Sequence, residues 1–191
     1  MDYKEYQKAS YKHLITCKSI LDSITLLNGN ANAMILQNSK QQAVLHNVFY
    51  LSGYTLESII NYSIYKHFRW RQPSVRDVDH SFSQRCGLSY GRLRKQSGFG
   101  DYPYFISGHE FSRNIQILQR EFSNSQIPLI DRSETVDAEV VKLFRAWCVE
   151  IRYHKESETY SNVTLNLNNT NLFVETTDRI YNGLISKVGL P

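Results

Sequence analysis

Apolar residues recur every three or four positions over five stretches of the chain. This is the period of an α-helix that buries one face. The stretches cover approximately residues 3–27, 39–67, 107–122, 135–154 and 171–188. Two long helices, a connection and three further helices predict an all-α fold, an up-and-down bundle of four to five helices in a single domain over residues 1–191.

The second stretch differs from the others because it is apolar on most faces. Residues 47–69 hold a single carboxylate, that of Glu57. A helix of this kind is packed on several sides, so we expect it to be the central helix of the bundle. Gly53 would let a neighbouring helix approach closely. Glu57 would be a buried or half-buried acid that needs a partner.

The helical period is lost between the second and third stretches. Residues 69–106 hold two of the four prolines and four of the nine glycines, which predicts a long loop. An optional short helix over 75–84 would interrupt it. Long ordered loops are usually functional, flexible or bound to a partner. Residues 66–95 contain eight Lys or Arg and two Asp, a local charge of +6 in a chain of net charge +4. Such a segment attracts phosphate, or it is a solvated basic linker.

One part of this basic connection combines charge with aromatic rings. Arg92, Arg94 and Lys95 alternate with Tyr90 and Phe99. Cations for phosphates and rings for stacking are what single-stranded nucleic acids require. The segment is therefore a candidate RNA-binding or nucleotide-binding loop, and the alternative is an ordinary surface loop.

The overall composition is that of a globular protein, with 41% hydrophobic and 21% charged residues. The three cysteines form no CxxC motif and are odd in number, which favours reduced thiols in a cytoplasmic protein. The N-terminus lacks the apolar run of a signal peptide, and no stretch of eighteen apolar residues predicts a membrane span. The histidines have no second ligand at helical spacing, and no phosphate-binding or dinucleotide motif occurs, so we expect neither a metal nor a cofactor.

Two segments resemble parts of HEPN domains, small bacterial helical bundles often associated with RNA or nucleotides. The first is Phe49-Tyr-Leu-Ser-Gly-Tyr-Thr-Leu-Glu57, and the second is Trp147-Cys-Val-Glu-Ile-Arg-Tyr153. Their order and their separation of roughly ninety residues also match the family, over about 120 of the 191 residues. The resemblance implies a homodimer. It also implies a protein partner, since HEPN domains often occur beside nucleotidyltransferases or in defence and toxin–antitoxin systems.

HEPN domains that cut RNA carry an Arg followed by a His with four to six residues between them, and the two groups meet across a dimer. The His transfers a proton and the Arg stabilises charge on the phosphate. No Arg in this chain is followed by His at that spacing, and His154 lies only two residues after Arg152. We therefore expect a non-catalytic or degenerate HEPN-like protein that binds RNA or a nucleotide. The alternatives are a metal-independent ribonuclease that uses Arg152 and His154 atypically, and a purely structural protein-interaction bundle.

Arg145 and Arg152 are a second candidate anion site. On one continuous helix their seven-residue spacing places both on the same side, two turns apart. Glu57 and Glu150 are carboxylates that could neutralise them internally, and a pair between Arg152 and Glu57 would fix the register of the fourth helix on the second. Tyr54 is the third polar side chain to which we assign a structural role.

Overall fold

The structure is a computed structural model that describes residues 2–28, 38–69, 88–90, 104–106, 111–125, 127–129, 137–149, 151 and 164–191. These parts of the chain form five α-helices and two short β-strands. In chain order they are α1 (Lys4–Asn28), α2 (Asn38–His67), β1 (Leu88–Tyr90), β2 (Tyr104–Ile106), α3 (Phe111–Glu121), α4 (Ala138–Ala146) and α5 (Leu167–Val188). The predicted all-α bundle is confirmed, and the bounds of α1 and α2 lie within one residue of the prediction.

The central position of α2 is confirmed. It contacts α1, α3 and α5, and every residue from 55 to 65 is buried. An uninterrupted buried run of three helical turns requires neighbours on all sides of a helix. The largest fully buried side chains include Tyr62 within this run and Phe49 about one and a half turns before it.

The first two helices are antiparallel and are joined by buried side-chain contacts. The Ser10 hydroxyl donates to the carbonyl oxygen of Thr55 at 2.9 Å, and the Cys17 thiol lies 3.5 Å from the carbonyl oxygen of Val48. Cys17 is fully buried and reduced, as predicted. Burial raises the pKa of its thiol to about 11, so the group is protonated and weakly nucleophilic.

The contact between α2 and α3 contains a buried amide pair. The Asn114 Nδ2 donates to Asn61 Oδ1 at 2.7 Å, and both residues are almost completely buried. Farther along, His67 Nε2 lies 3.0 Å from Glu121 Oε2. From the first contact to the second, the residue number rises on both helices, from 61 to 67 on α2 and from 114 to 121 on α3. The two helices are therefore parallel. The long connection between them allows this arrangement, which a short loop would not.

Helix α5 begins four residues before its predicted start. Asn166 has an extended backbone and accepts from the Asn169 N–H, while the Asn169 side chain accepts from the Asn166 N–H. This reciprocal capping box satisfies two N–H groups that would otherwise lack partners, and it fixes the start at Leu167. At the other end Gly189, with φ +77°, caps the helix, and its carbonyl oxygen accepts from the Tyr62 hydroxyl at 2.8 Å.

The predicted loop over 69–106 contains regular structure that the sequence analysis missed. Strands β1 and β2 are parallel, with Leu88 opposite Tyr104 and Tyr90 opposite Ile106, and β2 contacts α3. Three-residue strands give too short an alternation to be recognised from a pattern. The optional helix over 75–84 lies outside the described residues, as do residues 107–110, the predicted start of the third helix.

We find no membrane-spanning candidate among the helices of the described ranges, since none combines sufficient length with sufficient apolar character.

Candidate functional site

The two segments that resemble HEPN domains are in direct contact. Gly53 of α2 lies under the indole ring of Trp147, and a methyl group placed at Gly53 would overlap that ring. The Trp147 Nε1 donates to the carbonyl oxygen of Tyr50 at 3.1 Å. The prediction that Gly53 permits a close approach is confirmed, because only a residue without a Cβ leaves room for the indole.

This contact requires the chain to leave the helical conformation earlier than predicted. Helix α4 ends at Ala146, and Trp147 has an extended backbone with φ −69° and ψ 133°. The expectation of one helix reaching His154 is therefore wrong. The helical alignment of Arg145 with Arg152 is wrong for the same reason, since the helix ends before the second of them. The helical period of apolar residues continues past Ala146 in the sequence. The tertiary contact of the indole with Gly53 outweighs this local preference for a helix.

The chain after α4 runs back along the first half of α2. Trp147 contacts residues 50 and 53, and the Ile151 carbonyl oxygen lies 3.2 Å from His46 Nε2. His46, Tyr50 and Gly53 follow one another at intervals of three and four residues, so they share one face of α2. This face of α2 holds the segment that follows α4.

Four rings and one glycine form what we call the Trp147 cluster, defined as His13, Tyr50, Gly53, Tyr54 and Trp147. The Tyr50 ring is stacked with the indole at a centroid distance of 6.4 Å and an interplanar angle of 22°. The Tyr54 ring meets the indole edge-on at 6.4 Å and meets the imidazole of His13 edge-on at 5.6 Å. The cluster thus joins α1, α2 and the end of α4.

The cluster has a buried side and a side that faces solvent. Trp147 is only 7% exposed, whereas His13, Tyr50 and Tyr54 are half-buried. The partial burial of His13 lowers the pKa of its imidazole, and the neighbouring Lys12 lowers it further. The imidazole is therefore held in its neutral form at neutral pH, with aromatic surface in contact with solvent.

Arg145 lies two residues before Trp147, on the exposed side of α4. In the parts of the chain that the structure describes, no carboxylate is within ion-pair distance of its guanidinium group. Its neighbour on the same side of the helix, Lys142, is paired with Glu139. Arg145 is thus an exposed cation, two residues from Trp147 in the chain, that remains available for an anion from solution.

Glu57 lies in the core, with 2% of its surface exposed, which confirms the prediction of a buried acid. It is one turn from Gly53 on α2, and the buried Ser58 and Asn61 follow it. This end of α2 is enclosed by protein, so we assign Glu57 a structural role. Tyr54 belongs to the Trp147 cluster, and its ring contacts are compatible with the structural role predicted for it.

Several predicted site residues lie outside the described residues, namely Arg92, Arg94, Lys95, Glu150, Arg152 and His154. The pairing of Arg152 with Glu57 and the atypical Arg152–His154 site therefore remain predictions. The backbone of Tyr90 belongs to β1, where it is opposite Ile106 of β2.

Within the described ranges no three His, Cys, Asp or Glu side chains are close enough together to hold a metal ion. Two residues of the Trp147 cluster, His13 and Tyr50, were not among the predicted site residues. The sequence alone could not identify them, because His13 comes level with Tyr54 only when α1 and α2 pack antiparallel.

Comparisons with protein-family models, with curated proteins and with solved structures give no match. The resemblance to HEPN domains therefore remains a prediction that rests on the two sequence motifs.

Proposed function

We propose that the protein binds RNA or a nucleotide at the solvent side of the Trp147 cluster, with Arg145 as the phosphate ligand, and that it does not cut the bound molecule. The observation that carries the proposal is the exposed guanidinium group of Arg145, which has no carboxylate partner among the described residues. It lies two residues from an aromatic cluster that is open to solvent on one side.

The phosphate part of the proposal follows from the chemistry of arginine. A guanidinium group offers five N–H donors in a planar fork that matches two phosphate oxygens. An exposed arginine without an internal partner loses no ion pair when an anion binds. The surplus of positive charge in residues 66–95, which includes Arg92, Arg94 and Lys95, would add electrostatic attraction.

The base part follows from the half-buried rings. Tyr50, Tyr54 and His13 are packed on one another, and part of each remains in solvent. Bases stack on such rings with little dependence on sequence, at about 1–3 kcal/mol per base. Rings that are already held by neighbours lose little conformational entropy on binding.

The absence of cleavage in the proposal follows from the sequence. The chain lacks the Arg–His spacing of the HEPN ribonucleases, as Arg152 and His154 show. We therefore propose a non-catalytic HEPN-like protein, cytoplasmic and acting as a homodimer, with a partner drawn from a defence, toxin–antitoxin or nucleotidyltransferase system. Its resemblance to the family supports these last points.

The test is a binding titration with a fluorescein-labelled single-stranded RNA of about twelve nucleotides, a length within the usual site sizes. Arg145→Gln is compared with Lys187→Gln, which removes the same charge from an exposed position at the end of α5. We expect Arg145→Gln alone to weaken binding and to reduce the slope of log K against log salt by about 0.7. Equal behaviour of the two variants would contradict the assignment of Arg145.

The same samples, incubated with RNA in chelator and run on a denaturing gel, test the absence of cleavage. We expect intact RNA with the wild type. Cleavage that is lost in Arg152→Ala would replace the proposal with the ribonuclease alternative.

A further inference from the structure

The outer face of α1 carries a stripe of exposed apolar side chains. Tyr11 is 54% exposed, Ile15 43% and Leu26 75%. At 100° per residue these three positions lie within about 60° of one another around the helix axis. Single exposed apolar residues are ordinary, but three on one line of one helix form a stripe, which is apolar at both ends and polar between Ile15 and Leu26.

The same line carries two opposite charges. Lys18 and Asp22 project from it between Ile15 and Leu26. Lys18 Nζ also lies 2.7 Å from Asp178 Oδ2 of α5. Asp22 is exposed and has no cation partner among the described residues. A groove of about 460 Å³ between α1 and α5 opens beside this stripe and is lined in part by Lys18 and Asp22.

The order of these residues makes the stripe complementary to itself. When two copies of α1 pack antiparallel about a two-fold axis at residue 20, positions at equal distances on either side of that residue face each other. Lys18 and Asp22 lie two residues on either side. Ile15 lies five residues before and Leu26 six residues after. The pairing therefore puts Lys18 opposite Asp22 and brings Ile15 within one residue of Leu26, a difference of about 1.5 Å along the helix axis.

From this pattern we infer that the α1 stripe, defined as Tyr11, Ile15, Lys18, Asp22 and Leu26, is the docking surface for a second copy of the chain. Each copy contributes Ile15 to the other's Leu26, and each Lys18 meets the other's Asp22. The ammonium group of Lys18 has three donors, so it can keep Asp178 while it binds Asp22 of the second copy. The small, exposed Ser19 lies near the axis, where it lets the two helices approach closely.

This inference does not depend on RNA binding, because the stripe and the Trp147 cluster share no residue. The sequence resemblance implies a homodimer but does not indicate which surface forms it. The inference assigns that surface to the α1 stripe. RNA binding at Arg145 could fail while the dimer remains, and the dimer could fail while RNA binding remains.

The first test is sedimentation equilibrium of the full chain over a range of concentrations. We expect a reversible dimer in the wild type, and we expect Ile15→Glu or Leu26→Glu to raise its dissociation constant at least roughly tenfold. The matched control is Leu190→Glu, which changes an apolar residue of 61% exposure at the opposite end of the chain and is expected to leave the dimer unchanged. A wild type that stays monomeric, or a dimer that Ile15→Glu and Leu26→Glu leave intact, would overturn the inference.

The second test is disulfide trapping, which measures proximity. Ser19→Cys is compared with Ser186→Cys, an exposed serine of α5. Mild oxidation is expected to cross-link Ser19→Cys into a dimer and to leave Ser186→Cys monomeric. Equal cross-linking of both variants, or none in Ser19→Cys, would also overturn the inference.

Discussion

The two sides of the Trp147 cluster differ in how strictly packing constrains the residues that form them. On the packed side, the indole of Trp147 lies directly on Gly53 and donates to the carbonyl oxygen of Tyr50. On the solvent side, the Tyr rings are half-buried, and Arg145, two residues before Trp147 in the chain, is exposed. The packed side admits no added atom, so its residues determine stability. The side chains on the solvent side make fewer contacts within the protein. Their identity is therefore less constrained by stability and can be determined by ligand binding.

The largest effect is expected for Gly53→Ala, which breaks the packed side. The new methyl group overlaps the indole, and overpacking of this kind costs about 3 kcal/mol. Alanine is about 1 kcal/mol better than glycine inside a helix, which offsets part of that cost. We expect a net loss of about 2 kcal/mol, or about 4–8 °C in Tm by thermal unfolding.

The control for Gly53→Ala is the same substitution in a Trp147→Leu background. Without the indole, only the helix propensity remains, so Gly53→Ala is expected to be neutral or stabilising there. If Gly53→Ala is equally destabilising in both backgrounds, the contact between Gly53 and Trp147 is not the cause.

Trp147→Phe sharpens the same comparison with a smaller change. The phenyl ring still covers Gly53, but the Nε1 donor to Tyr50 is lost and a small void remains. Loss of the hydrogen bond costs about 1 kcal/mol, and the lost volume adds a similar amount. Chemical denaturation is expected to show a loss of about 1–2 kcal/mol. A variant as stable as the wild type would mean that the indole N–H contributes nothing to the packed side.

The smallest effect is a pH dependence that arises from His13, at the boundary of the two sides. Its pKa is lowered in the folded state, first by burial and then by Lys12. Above the unfolded pKa of about 6.5 both states are neutral and stability is full. As the pH falls below that value the unfolded state takes up the proton first, so stability decreases. We expect Tm to fall more between pH 7 and pH 5 in the wild type than in His13→Gln, and identical profiles would contradict this assignment.

Much of the fold follows from patterns within the sequence. The bounds of α1 and α2 and the central place of α2 could be predicted because each depends on local periodicity. The end of α4 could not, since the pattern continues past Ala146 while the contact of Trp147 with Gly53 ends the helix. Strands β1 and β2 could not be predicted either, because their pairing joins short segments that are distant in the chain.

For the candidate site, the sequence indicated Gly53, Trp147 and Arg145 individually. It could not indicate that Gly53 and Trp147 meet, nor that His13 of α1 joins them, because both depend on how helices pack. The sequence predicted that Arg145 and Arg152 form one anion site on the same side of a single helix. The early end of α4 removes that helical alignment and leaves Arg145 exposed in the last turn of α4, two residues before Trp147.

The most direct test of RNA binding at the Trp147 cluster is photochemical cross-linking of the full chain to single-stranded RNA that carries 4-thiouridine, with the cross-linked residues identified by mass spectrometry. We expect cross-links at Tyr50 or Tyr54, reduced in Arg145→Gln and unchanged in Lys187→Gln. Cross-links confined to other parts of the chain, or none under conditions where RNA binds, would contradict the proposal.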